Sequence, residues 1–390
     1  MIGALGLAQI VSWGTLFYSI AVLGSALRAA AGASDLLLFG SFSAGLLVSG
    51  FAAPWIGSRI DAVGGRGILA GGSLLGALAC TLLGLADGPL MLALGWLVAG
   101  AAMAATLYDP AFATLHQLAG PAYRRSVTIL TLYGGFASTV FWPLGQTLLE
   151  SWGVHATYFV FAVLHLVVCL PIHLVFVPRG RVEGGARASA TPHVPLTGQA
   201  SDPHAVFLWL AVALSIASFA AAAISAHLLL MLQEGGLSAR EAVAIGALIG
   251  PMQVVGRVME FSFARHVSAV AAGRIAFVTL AAGLLLLPFA GSVFALAVFF
   301  AMLYGWSNGV MTITRGTVPE VLFGSRGYGA LLGRLAQPQF LARAFAPAAM
   351  AGVLALPAGR PLALAALAAG GLLALAAYVA SVRGAPSRGA

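Results

Sequence analysis

Residues 67–86 read GILAGGSLLGALACTLLGLA, twenty residues with no charge and no polar face. Such a stretch is the length a helix needs to cross the hydrocarbon of a bilayer, about 20 residues at 1.5 Å each. It is not an isolated case. Hydrophobic residues make up 61% of the 390, charged residues only 8%, and the mean hydropathy is +1.00. In lipid the backbone must satisfy its own polar groups, which leaves helix bundles and closed barrels. Barrel strands alternate apolar and polar residues, whereas these runs are apolar all round, so the sequence predicts an all-α membrane protein.

Counting apolar runs separated by Gly, Pro or charge predicts twelve spans, at about 3–27, 36–57, 67–86, 89–115, 126–149, 156–177, 206–232, 240–262, 274–290, 292–314, 327–355 and 360–382. Six precede and six follow a stretch rich in Gly, Pro, Ser and Arg. This divides the chain into an N-terminal six-helix bundle (1–178), a cytoplasmic linker (179–204) and a C-terminal six-helix bundle (205–390). The first run is long enough to span and no basic residue precedes it, so it is read as a span and not as a cleavable leader.

All 19 basic residues are arginine. Without lysine the chain holds no phosphate-binding loop ending in Gly-Lys-Ser/Thr, which argues against ATP-driven pumping by this chain alone. The net charge of +8 is spread through short loops, a pattern of membrane anchoring and not of nucleic-acid binding. With the N-terminus inside, twelve arginines fall in inside loops and tails, and only Arg28, Arg240 and Arg360 fall outside. Both termini are therefore expected in the cytoplasm, in a chain integral to the cytoplasmic (inner) membrane. Cys80 and Cys169 lie inside apolar runs as small buried hydrophobes, and no metal or cofactor is expected.

The two halves carry related signals. Gly57 and Asp61 close the second span in PWIGSRID, and Gly256 and Glu260 recur with the same spacing in GPMQVVGRVMEF. Gly100 and Gly120 bracket AAMAATLYDPAFATLHQLA in the fourth span, as Gly305 and Gly324 bracket WSNGVMTITRGTVPEVLF in the tenth. Related six-helix halves around a linker are an architecture of secondary transporters. The stretch GSRIDAVGGRG (57–67) sharpens this, because Gly57, Asp61, Gly64 and Arg66 match the pattern Gly-x-x-x-Asp-Arg/Lys-x-Gly-Arg/Lys-Arg/Lys. On these residues and its span count the chain resembles the major facilitator superfamily, departing from the pattern at Ala62 and Gly65.

The resemblance implies twelve transmembrane helices in two pseudo-symmetric bundles, working as a monomer by alternating access. It implies that Asp61, Arg66 and Glu260 act in conformational switching, with Gly57, Gly64 and Gly256 allowing close approach and a tight turn. It further implies a central cavity lined by helices 1, 4, 7 and 10. Helix 1 offers Ser12, Thr15 and Ser19 at helical spacing beside Trp13, Phe17 and Tyr18, a stripe that serves either a cavity or helix packing. The same choice stays open for Ser215, Ser218 and Ser225.

Three intramembrane charges stand out. Asp109, about 30 Å along the fourth span from Pro89, is costly in lipid unless it faces a cavity or a cation, and Arg315 lies near its equivalent in the second half. Arg343 sits near the middle of the eleventh span, where an arginine costs at least roughly 2.5 kcal/mol, with Gln339 one turn earlier and Pro338 placed to break the helix. Guanidinium groups match carboxylates in two-point fashion, which suggests either an anionic substrate or an internal ion pair that holds helices together. His165, His173 and His227 are read as packed histidines.

The expected function is a secondary active transporter of a small molecule, favouring an organic anion, driven by protons, with Asp109 as the protonatable carboxylate. A multidrug or toxic-compound efflux antiporter is the alternative, which the aromatic helix 1 also allows. An intramembrane enzyme is the remote one, because no convergent Ser/His, paired Asp or metal-ligand cluster is found in the sequence.

Overall fold

A computed structural model of the chain describes residues 1–180, 202–264 and 266–383, and most of the expected linker therefore lies outside the described residues. The described residues form helices and no strand. Their Cα packing separates into two units: the described residues of Met1–Thr191 with Ser325–Gln337, and those of Pro192–Gly324 with Pro338–Ala390.

In unit 1 the first span consists of α1 (Ile2–Ser12), a π-helical turn (Trp13–Phe17) and α2 (Ser19–Ala30). Then come α3 (Asp35–Val63), α4 (Gly65–Gly84), α5 (Pro89–Thr106), α6 (Tyr108–Ala119), α7 (Tyr123–Gly135) and α8 (Ala137–Leu164), which is broken at Gly153 (φ 79°, ψ 173°) into two helical pieces belonging to the fifth and sixth spans. A second π turn (His165–Cys169) leads into α9 (Leu170–Phe176). Helix α5 packs on α3 and α4, α4 also packs on α8 and α9, and α1 packs on α7. Unit 2 holds α10 (Pro203–Glu234), α11 (Ala239–Phe263), α12 (Ala269–Ala290), α13 (Phe294–Phe323), the greater part of α14 (Tyr328–Leu354) and α15 (Gly359–Ser381). There α13 packs on α11 and α12, and α15 on α10 and α12.

Nine helical runs among the described residues are long and apolar enough to cross a membrane, one of them the 88-residue run Pro89–Phe176. Their outer faces suit a lipid solvent: Leu36 is 85% and Leu90 74% exposed, positions that would be unfavourable against water in such numbers. The chain is an integral membrane protein.

Helix ends follow local chemistry. Ser34, Ser238 and Ser268 cap α3, α11 and α12 by accepting from backbone N–H groups three residues on. Arg28 pairs with Asp35 at 3.0 Å across the first turn of the chain. Arg360 donates its Nε–H to Met231 O at 3.0 Å, placing a cation near the C-terminus of α10. Two of the three arginines expected outside thus have local structural partners.

The sequence reading is corrected in two places. The fourth span is not one helix: α5 ends at Thr106, Leu107 is extended (φ −76°, ψ −159°) and α6 begins afresh at Tyr108. Pro110 lies in the first turn of α6, where its missing N–H costs nothing, so the proline starts a helix here and does not interrupt one. In α14, by contrast, the helix runs through Pro338 and Pro347 to Leu354 without interruption.

The turn between α3 and α4 is a single residue, Gly64, at φ 85° and ψ 165°. That region is open to glycine alone. Gly64→Ala is expected to cost about 1–3 kcal/mol, read as a lowered thermal unfolding temperature in detergent. Gly67→Ala, in regular helix with open space around its Cα, serves as the control and should not lower it.

Candidate functional site

Asp61 lies in the last turn of α3, and both of its carboxylate oxygens are engaged. Oδ1 accepts from Gly329 N–H at 2.9 Å and Oδ2 from Ala330 N–H at 2.8 Å. These are first-turn amides of α14, which have no partner within their own helix. A carboxylate there gains from the hydrogen bonds and from the positive end of the helix dipole. Gly57 makes the approach possible, since a Cβ at this position would overlap the carbonyl of Gly329. Tyr328 completes the contact: its ring stacks on His116 at 4.1 Å and its hydroxyl lies 2.9 Å from that of Tyr123. Gln117 donates to Ile60 O at 2.8 Å and ties α6 to the end of α3. Arg66, grouped with Asp61 by the sequence, sits partly exposed in the first turn of α4.

The matching residues of the second half take different surroundings. Gly256 lets α11 lie against the backbone of Trp306 in α13, and Glu260 and Arg257 are both buried. Gly57 and Gly256 thus share a role in close helix packing, with different partners.

Asp109 is buried, with 6% of its surface exposed, in the first turn of α6. The break at Leu107 changes its meaning: the carboxylate occupies the favourable N-terminal end of a helix and not the far end of a long one. The carbonyl of Thr106, the last residue before the break, accepts from Gln9 Nε2 at 2.6 Å.

The polar stripe of the first span turns mostly into unit 1. Ser12 and Thr15 are fully buried and Ser19 is 4% exposed. Thr15 Oγ1 lies 2.8 Å from His165 Nε2, and Ser12 Oγ lies 4.0 Å from Cys169 Sγ. Tyr18 is half-buried on another face, in an aromatic group with Trp13, Phe17, Phe42 and Trp142. Ser12, Thr15 and Ser19 thus pack within the bundle, whereas Tyr18 and Phe17 reach its surface.

In unit 2, Arg315, Gln339 and Arg343 line one small, partly open cleft. Helix α13 contributes Asn308, Met311, Thr312 and Arg315, α14 contributes Gln339 and Arg343, and α10 contributes Ser218. Ser218 Oγ stands 3.4 Å from Gln339 Oε1, and the Arg343 guanidinium lies 5.8 Å from the Phe340 ring centroid. Gln339 and Arg343 meet in the cleft because four residues make about one helical turn. Of the seventh-span serines, Ser218 lines it while Ser225 is exposed elsewhere. Asn308 and Thr312 were not singled out from sequence. Their spacing to Arg315, at i, i+4 and i+7, is the signal that places all three on one face. Such a cleft, with two guanidinium side chains among amides and hydroxyls, suits an oxyanion.

Comparison with known proteins agrees with this architecture. No curated protein is matched by sequence. The chain is similar in structure to the human organic anion transporter MFSD10 (TETRAN), at 19% identity and a TM-score of 0.70, over 97% of this chain and 98% of the other. It is also similar to FucP, a major facilitator superfamily transporter captured in its outward conformation, at 15% identity, a TM-score of 0.71 and 98% coverage of both chains. A second FucP structure, of the E. coli fucose:proton symporter, aligns at 16% identity and a TM-score of 0.71 over 98% of both chains. At these identities the likeness speaks for the fold. The family profile of the Major Facilitator Superfamily matches residues 2–347, and the chain belongs to that superfamily.

Proposed function

We propose that this secondary transporter moves a small organic anion, of the size of a monocarboxylate, together with protons by alternating access. The observation that carries the anion reading is the cleft of unit 2, where Arg315 and Arg343 come together with Gln339, Asn308 and Ser218. A carboxylate has two oxygens to offer and a guanidinium five N–H groups in a planar fork, so one arginine engages it in two-point fashion and the amides supply further donors. A protein of the same fold is described as an organic anion transporter and another as a fucose:proton symporter, so the fold is compatible with both an anionic substrate and proton coupling. In this proposal the buried Asp109 is the carboxylate that takes up the proton. Residence in the cytoplasmic membrane with both termini inside, and action as a monomer, belong to the same proposal.

The Asp61 contact serves in this proposal as a gate, with Gly57, Gly64 and Arg66 shaping its turn and Gly256 and Glu260 its counterpart. A carboxylate that holds the first amides of α14 stabilises the arrangement in which they meet and is released when they part.

The aromatic group around Tyr18 favours a second reading, export of an apolar compound. Both are decided by one experiment: uptake of labelled lactate into proteoliposomes under an imposed pH gradient, run beside efflux of an apolar dye. For the anion reading, Arg343→Ala should lower kcat/KM for lactate by about 10- to 100-fold, the value of a charge-assisted hydrogen bond of 1.5–3 kcal/mol. Unchanged lactate uptake in that variant, or dye efflux with no lactate uptake in the natural chain, would rule the anion reading out.

The gate has its own test. Asp61→Asn replaces one acceptor oxygen by a donor, so one of the Gly329 and Ala330 amides loses its partner. Hydrogen exchange over 328–331 should accelerate by at least about tenfold, equivalent to a lost hydrogen bond near 1.4 kcal/mol. Exchange at the natural rate would mean that the carboxylate does not hold this helix end.

A further inference from the structure

Inside unit 1, two buried contacts join the histidines of the sixth span to hydroxyls of the first and third. Thr15 Oγ1 lies 2.8 Å from Val11 O and 2.8 Å from His165 Nε2. Ser73 Oγ lies 3.1 Å from Leu69 O and 2.8 Å from His173 Nδ1. A hydroxyl has one proton to give. Each here donates to the carbonyl four residues back, so each accepts from an imidazole N–H. The network therefore assigns the Nε2–H tautomer to His165 and the Nδ1–H tautomer to His173.

Both rings are left with a bare lone pair. His165 is 0% and His173 1% exposed, and His165 Nδ1 and His173 Nε2 have no hydrogen-bond partner among the described residues. Gln9 Oε1 is a third buried acceptor in the same position. Such groups are rare in folded proteins because leaving them unmade is costly. The Nδ1 edge of His165 rests against Gly76 of α4, where a Cβ would collide with the ring, so α4 presents bare backbone there. Thr15 and His165 also lie in the two π turns of unit 1, a backbone form that recurs at functional sites.

We propose that His165, backed by His173, is a proton-exchanging site of the transport cycle in addition to Asp109. The proton adds to the Nδ1 lone pair while Nε2–H goes on donating to Thr15; no other bond breaks, and the ring gains one positive charge. The titratable groups on the elements packed around it are Cys80 on α4, Tyr158 and His155 on α8, Cys169 within the π turn and His173 on α9. On the first span the uncharged Thr15 contacts it directly, and the uncharged Ser12 lies against Cys169 at the end of the same π turn. Of the charged side chains on those elements, Arg66 precedes Gly76 by about 15 Å of helix, and Glu150 on α8 is exposed and bonded to Gln146. An imidazolium in that setting is unfavourable unless water reaches it. Protonation therefore favours a state in which the seam between the first span and α4 has opened, which couples the proton to a change of shape.

This inference rests on the proton-coupled reading, and two measurements separate them. The full chain, labelled with 15N-histidine in detergent, is titrated from pH 8 to 4.5 by NMR. One neutral Nε2–H imidazole, missing in His165→Gln, should convert to imidazolium. Thr15→Val, which keeps both histidines but removes the acceptor that favours the charged ring, should move its midpoint down by about one pH unit, tenfold in proton affinity. An imidazole that stays neutral throughout, or a midpoint that Thr15→Val leaves in place, overturns the assignment. In proteoliposomes, His165→Gln should lose at least about tenfold of pH-driven lactate accumulation. Equal accumulation in the variant and the natural chain overturns this site alone. A natural chain indifferent to the pH gradient overturns the coupled reading, and this site's role in it, together.

Discussion

A chain that lives in hydrocarbon has no water to satisfy its backbone, and every departure from a regular helix must find a polar partner within the protein. This constraint explains where unit 1 spends its few polar side chains. The break at Leu107 is met by Gln9, whose amide reaches the carbonyl of Thr106. The open amides at the start of α14 are met by Asp61 and the end of α3 by Gln117. In unit 2, Arg360 serves the last turn of α10 in the same way. Each partner comes from a different helix, so satisfying the backbone also ties the helices together.

The functional regions are marked where side chains from several helices gather their polar groups in one place. Arg315, Gln339 and Arg343 meet in a cleft whose hydroxyls and amides extend the same hydrogen-bonding surface. Thr15 and Ser73 spend their protons on carbonyls and their lone pairs on histidines, which fixes the tautomers and leaves two ring nitrogens bare. Glycine acts on the other side of the balance. At Gly57 and Gly76 it removes the side chain that would hold a carbonyl or a ring at a distance.

Much of the fold was legible because a bilayer enforces a simple rule on sequence: about twenty apolar residues for each crossing. The close packing at Gly57 and the tight turn at Gly64 were expected too, because glycine alone allows such an approach and such a backbone, whereas the partners of Asp61 appear only in the fold. The break after Thr106 was not, because it carries no glycine and its proline lies three residues inside the next helix. Nor was the absence of a break at Pro338, where the surrounding helix keeps its course. His165 and His173 look in sequence like any histidine within an apolar run, and only the hydroxyls placed against them by the fold distinguish them.

The sequence by itself determined the solvent of this protein, its helical class, its two related halves and the turn at 57–67, since each follows from local composition, spacing or backbone restriction. The tertiary structure decided which polar residues meet. The Ser12, Thr15 and Ser19 stripe left cavity and packing equally open, and the structure turns it inward because partners a hundred and fifty residues away complete its hydrogen bonds. The arginines of α13 and α14 share a cleft for the same reason: a side chain's neighbours in a bundle are set by helix crossings, which no single stretch of sequence encodes.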